Sequence, residues 1–447
     1  MTDTKRNFRN TFFSLFLGGM IVLLCSSSIS NNSNRNPGSR PPLQPIPIDT
    51  TRTFINYSAN RLHVATDSTL ARRFFNKWYD VTTTGKGNIN IMQIGGSHVQ
   101  GGMLPHQIRR NILRYYPDLV ASRGMIFPYS MGKKCNNPFD YKVRRSHYLE
   151  LTRNVYKDPQ QRLGLCGIAV TARDSVATIG IVMNEPDISF HTTQVILLGY
   201  SPNGVVPSLR QGHSELVPTK IDSTRDQFIF NLIAPADSFT IVLPCDSAQS
   251  FTLTGIYLRN KNNGISYHSI GVNGASVPDY FKCPSLVRDL HLVNPDMVVF
   301  GIGINDASQP NFDTADFKRN YLRLCDSIRK VNPDCFFVFI TNNDSFKKVG
   351  KKYVVNQNGL LARDVFYRLA EETGGAVWDQ FEVMGGLKSM DKWRLAQLAQ
   401  SDRVHFTRAG YELVGDLFSN AFVEALQYFL IAPSKAPLRD VQKRLYR

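Results

Sequence analysis

Cysteine is scarce in this chain. Seven in 447 residues, with no Cys-x-x-Cys pair, are too few for a disulfide scaffold and argue against a structural zinc site. No apolar run reaches the roughly 20 residues that cross a bilayer as a helix. Acidic residues are also short, 36 Asp and Glu against 52 Lys and Arg, which leaves a formal charge of +16. Such a balance suits nucleic acid, a membrane surface or an anionic glycan. Apolar residues are not lacking: 42% of the chain is hydrophobic and only 20% charged, which excludes a disordered or fibrous chain. At about 150 residues per domain, the length allows two or three domains.

The N-terminus narrows the partners. Lys5, Arg6 and Arg9 precede an apolar run from Phe12 to Cys25, and a small polar stretch, Ser26 to Ser30, follows. That is the layout of an export signal, so residues 1–30 read as a signal peptide or, if uncleaved, a membrane anchor. Export to the periplasm or cell envelope sets nucleic acid aside as a partner. Leu24 before Cys25 does not fit the small residue that usually precedes a lipidated cysteine.

Residues 31–57, rich in Asn, Ser, Pro and Arg at their start, read as a linker. Leu70, Phe74, Phe75 and Trp78 then recur at helical spacing, and the apolar run Ile89 to Ile94 follows a glycine break. Met297 to Phe300, Cys335 to Ile340 and Ala376 to Trp378 are further strand-length apolar runs. Helical faces alternate with them, one built by Phe317, Tyr321, Leu324 and Ile328, another by Leu361, Val365, Phe366 and Leu369. Continuous apolar strands between helices predict an α/β domain with a parallel sheet covered on both faces, in two parts, 58–140 and 261–431. Between them, 141–260 is predicted to be an inserted all-β sandwich or jelly roll. Its residues alternate, as in Phe239, Ile241 and Leu243, and Ser and Thr are frequent. Residues 432–447 read as a basic tail. Cys166 and Cys245, both in the β segment, are a candidate pair in an oxidising compartment.

Four short motifs carry the chemistry. Gly95-Gly96-Ser97-His98 ends the first apolar strand, placing a serine where α/β folds bind ligands. Gly274 lies in Gly271-Val272-Asn273-Gly274-Ala275, a stretch whose bare backbone N–H can approach a substrate oxygen. Asn305, in Gly301-Ile302-Gly303-Ile304-Asn305-Asp306, offers a neutral side-chain donor, although an Asn-Asp helix cap is an equal explanation of that motif alone. Asp402 stands three residues before His405, close enough to fix the imidazole tautomer and leave Nε2 to accept a serine proton. Each motif alone is ordinary turn chemistry; their order and their positions at strand ends are not. His98 and Gln100 are further candidates for substrate contact. The remaining histidines show no metal-ligand spacing, and no metal or organic cofactor is expected.

With these motifs the chain resembles the SGNH (GDSL-type) hydrolase superfamily. The resemblance covers Ser58 to Phe139 and Gly264 to Ile431. It implies a flavodoxin-like fold, Ser97 as nucleophile, His405 as general base and Asp402 as its orienting acid. It also implies an oxyanion hole made by Ser97, Gly274 and Asn305. The usual Gly-Asp-Ser of the first block is Gly95-Gly96-Ser97 here, so the acid that braces the nucleophile loop is absent. A Gly-Gly pair is expected to adopt backbone angles closed to Asp at Gly96. The phrasing Ile-Gly-Gly-Ser-His-Val-Gln also resembles exported Bacteroidetes-type members and peptidoglycan O-acetylesterases. The expected function is an exported serine esterase that removes O-acetyl or other short acyl groups from an acylated polysaccharide or peptidoglycan. Acyl transfer to a glycan and a decayed, glycan-binding site are the alternatives.

Overall fold

The apolar runs become a single twisted sheet, here described from a computed structural model that covers residues 43–431 apart from 185–187, 189, 261 and 262. Its strands lie in the order Leu62–Val64, Ala376–Trp378, Phe336–Ile340, Met297–Gly301, Asn88–Gly95, Gly264–Gly271 and Val120–Ser122. The Leu62–Val64 strand is antiparallel to its neighbour and every other pair is parallel. With the two edge strands left aside, the five parallel strands run second, first, third, fourth, fifth. That is the flavodoxin-like order, whose switch point lies beside the first strand.

Successive side chains of these strands point to opposite faces, so a continuous apolar run supplies two cores. Ile89, Ile91, Met297, Val299, Phe336 and Val338 face the helices Thr69–Thr84, Met103–Tyr115 and Arg408–Ile431. Met92, Ile94, Val298, Phe300, Phe337 and Phe339 face Leu286–Val293, Thr314–Arg329 and Asn358–Thr373. In the last of these helices Leu361 is exposed, because the buried stripe runs through Ala362, Val365, Phe366 and Leu369 instead.

Between Gly124 and Arg259 all strand pairing is antiparallel, in one sheet of five strands and another of seven. Alternation places Ile179, Ile181, Phe239 and Ile241 against Val195, Leu197, Phe230 and Phe251 in one apolar core. That core is continuous with the face of the parallel sheet formed by Met92 and Ile94. A buried ionic cluster ties the layers: Asp140 pairs with Arg123 at 2.8 Å and Arg109 at 3.3 Å, while Arg109 Nε donates to the Tyr267 carbonyl at 2.9 Å. Burial works to raise the Asp140 carboxyl, but the two guanidinium groups prevail and hold it below its ordinary value.

Two sequence expectations change. The 43–57 stretch is docked rather than a free linker, since Ile46 and Ile55 are buried and Ile46 exchanges backbone hydrogen bonds with the Asn420 side chain at 2.7 and 2.9 Å. Cys166 and Cys245 are both buried and free, so they form no disulfide with each other. The leader 1–30, the start of the linker and the tail 432–447 lie outside the described residues. No helix among the described residues is long and apolar enough to cross a membrane.

Candidate active site

Register brings the motifs to one edge of the sheet. Gly95 pairs with Gly271 on one side and Gly301 on the other, so three chain segments leave the sheet at the same level. They carry Ser97, Gly274 and Asn305. Strand connections diverge at this point, which opens the crevice in which open α/β sheets bind ligands.

Ser97 is the first residue of the short helix Ser97–Gln100, so its own N–H has no intrahelical acceptor. Its Oγ lies 2.7 Å from His405 Nε2, and His405 Nδ1 lies 2.7 Å from Asp402 Oδ2. The second Asp402 oxygen accepts the Val404 N–H at 2.9 Å and the His405 N–H at 3.0 Å. Burial works to raise this carboxyl, yet the His405 backbone and ring bonds outweigh it and hold Asp402 ionised below its ordinary range. Between the two lies Arg403 at φ +57°, a left-handed angle that a non-glycine residue adopts only when its surroundings impose it. Asn343 and Asp391 supply that restraint: the Asn343 side chain donates to the Val404 carbonyl at 3.0 Å, and the Arg403 guanidinium meets Asp391 at 2.8 Å.

On the other side of Ser97, Asn305 Nδ2 donates to the Ala275 carbonyl at 2.9 Å, which uses one of its two hydrogens. Gly274 sits at φ +86° with open space where a side chain would project, and its N–H has no protein partner among the described residues. The adjoining Asp306 accepts the Val277 N–H with both oxygens at 3.2 Å. The Asn305-Asp306 pair thus holds the Gly274 loop at two points, a role for Asp306 that the sequence did not disclose.

Burial raises the Asp306 carboxyl to about 7, against the lowering effect of the Val277 hydrogen bonds. The folded state therefore keeps a proton that the unfolded chain releases near its ordinary value of 3.8. This contribution is full below that value and is lost as pH rises towards 7, where burying the charged form becomes costly. Asp306→Asn should flatten the fall in melting temperature across that interval, as calorimetry at several pH values would record. An unchanged slope would contradict the assignment.

Gly96 has a negative φ of −98° with ψ −138°, a pair that lies in neither the extended nor the helical region. Space is also short: a Cβ there would meet Asn305 Nδ2 at 3.3 Å and the Ala275 carbonyl at 3.5 Å. Gly96→Asp should displace the Asn305–Ala275 contact and lower kcat on a small ester by roughly ten- to a hundredfold. Turnover at or above that of the parent would show that the loop accommodates the acid.

His98 and Gln100 turn inward, which corrects their assignment as substrate contacts. His98 Nδ1 bonds the Tyr411 hydroxyl at 2.9 Å, and its ring packs 4.9 Å from that of His405. Burial first, and the His405 ring next, push His98 down to about 3, so it is a neutral buttress for the histidine. Gln100, 3% exposed, accepts the Asn273 N–H at 2.7 Å and donates to the Asn136 carbonyl at 3.1 Å. It ties the Ser97 helix to the Gly274 loop. Among the described residues no group of three or more His, Cys, Asp or Glu side chains is placed to hold a metal ion.

The sequence model of the GDSL-like lipase/acylhydrolase family matches residues 237–413, a span that contains Gly274, Asn305, Asp402 and His405. This match supports the resemblance to the SGNH (GDSL-type) hydrolase superfamily over that span. A lipase/acylhydrolase signature of this kind supports a carboxylic-ester hydrolase. A solved peptidoglycan O-acetylesterase superposes with a TM-score of 0.66 at 19% identity, covering 84% of this chain and 98% of that one. An acetylxylan esterase from Geobacillus stearothermophilus shares 21% identity over 38% of this chain and 76% of its own, with a TM-score of 0.27. No curated protein matches the sequence. Ser97 falls outside the matched span because the antiparallel strands separate its segment from those that carry Gly274, Asn305, Asp402 and His405.

Proposed function

We propose that the protein is an exported serine esterase that removes O-acetyl or another short acyl group from a cell-envelope or dietary glycan. The observation that carries this is the unbroken chain from Ser97 Oγ through His405 to Asp402, each step 2.7 Å long. Ser97 Oγ attacks the ester carbonyl while His405 Nε2 takes its proton. The C–O bond to the sugar then breaks, and the imidazolium returns the proton to the leaving alkoxide. Water repeats the sequence on the acyl-enzyme and releases the acid. Asp402 keeps Nδ1 protonated and stabilises the imidazolium. The Ser97 and Gly274 N–H groups and the second hydrogen of Asn305 Nδ2 are the donors for the tetrahedral oxyanion.

The antiparallel strands from Gly124 to Arg259 act as an inserted glycan-positioning domain in this proposal, and residues 1–30 direct export or attach the protein to the envelope. Acetate release from O-acetylated peptidoglycan and from acetylated xylan tests the function. Release from either polymer by the parent protein, absent in Ser97→Ala, supports it. Release by neither, with small esters also untouched, overturns it.

A further inference from the structure

The wall beside the Gly274 loop is built by the antiparallel layer. Arg153 ends the strand Glu150–Arg153 and donates from Nη2 to the Asn273 carbonyl, one residue before Gly274. The turn that follows returns the Tyr156 N–H to the Arg153 carbonyl at 3.0 Å. Lys282 also holds this turn, donating to the Tyr156 carbonyl at 3.0 Å. Lys282 is already matched by Asp279 at 2.9 Å. Arg153 is not: among the described residues no carboxylate lies within ion-pair distance of it, its Nε is shielded without a hydrogen-bond partner, and Nη1 donates to no protein group. The Tyr156 ring, 42% exposed, lies with its centroid 6.0 Å from the guanidinium.

An unmatched, half-buried cation is costly to retain unless an anion completes it. Its position follows from the hydrogen bonds already described: Ser97 and Gln100 share one helical turn, Gln100 holds the Asn273 N–H, and Arg153 holds the Asn273 carbonyl. A glycan whose ester carbonyl reaches Ser97 therefore passes this arginine, with an exposed aromatic ring next to it for a sugar face.

We infer that Arg153 binds a carboxylate of the glycan, which makes the site selective for acyl esters carried by acidic sugars. This deepens the esterase proposal and rests on it. Guanidinium suits the task because its planar donors match a carboxylate in a way that an ammonium does not.

The test compares O-acetylated oligogalacturonide with its carboxyl-reduced, O-acetylated counterpart. The parent protein should favour the charged oligomer about tenfold or more in kcat/KM, through KM, and added salt should narrow that gap. Arg153→Gln should bring the ratio close to one, and Arg153→Lys should restore part of it. A parent ratio near one overturns the inference. So does an Arg153→Gln protein that keeps the parent ratio while kcat falls equally on both oligomers, which would make Arg153 only a brace for Asn273. If the parent hydrolyses neither oligomer nor small esters, the esterase proposal fails by itself. Calorimetry with Ser97→Ala then decides the inference: tighter binding of the acidic oligomer, lost on adding Arg153→Gln, upholds it, and equal binding overturns it.

Discussion

Alanine at Ser97 or at His405 is expected to lower turnover of a small acetyl ester by roughly 10⁴-fold or more, and the double variant should lose little beyond that. The two act as one unit: the hydroxyl has no acceptor for its proton without Nε2, and the imidazole has nothing to activate without the hydroxyl. Asp402→Asn should be nearly as damaging, for a reason visible in the loop. The amide oxygen can keep the Val404 and His405 N–H bonds made by Asp402 Oδ1, which leaves the amide NH₂ facing Nδ1. Nδ1 must then accept, Nε2 carries the proton, and the ring cannot take one from Ser97. All three side chains are only partly buried, so melting temperatures should stay close to that of the parent. Turnover within tenfold of the parent for Ser97→Ala would remove it as nucleophile.

Asn305→Ala should cost about 10²–10³ in kcat with a small change in KM, the usual effect of deleting one oxyanion donor. Because Nδ2 also holds the Ala275 carbonyl, part of any loss could come from movement of the Gly274 loop. Asn305→Asp separates the two contributions. It keeps the size of the side chain but offers no N–H, and it places charge against the developing oxyanion, so it should be at least as poor as alanine. Steady-state kinetics of both variants, with unfolding curves to show that the loop is retained, would measure this. If Asn305→Ala keeps kcat within a few fold, the residue is only a brace for the Gly274 loop through the Ala275 carbonyl.

What the sequence disclosed depended on whether a segment's side chains answer to the core or to one another. Ile89–Ile94, Met297–Phe300 and Ala376–Trp378 are apolar because both sheet faces are covered, and they are legible for that reason. Gly264–Gly271 lies equally deep in the sheet but does not read as a strand, since its polar residues are shielded by polar partners. Ser266 meets Ser122 at 2.9 Å, Ser269 takes Arg109 at 2.8 Å, and His268 accepts the Met125 N–H at 3.2 Å. The docked segment 43–57 was hidden by its prolines, because nothing local shows that Ile46 reaches Asn420. Ser97, Gly274, Asn305, Asp402 and His405 were legible because turn chemistry concentrates the reactive residue types at strand ends. The roles of Gln100, Asp306 and Arg153 are not legible, as each acts through a backbone group far away in the chain, a relation that spacing does not encode.

The most direct measurement is the site of covalent capture by a fluorophosphonate, which traps a serine only where a base activates its hydroxyl and donors hold the resulting oxyanion. Peptide mass spectrometry of the treated protein should find the phosphonyl group on Ser97, one per chain, with labelling abolished in Ser97→Ala and greatly slowed in His405→Ala. Labelling at another residue, or an untouched Ser97 after prolonged exposure, would contradict the assignment of this constellation as the catalytic centre.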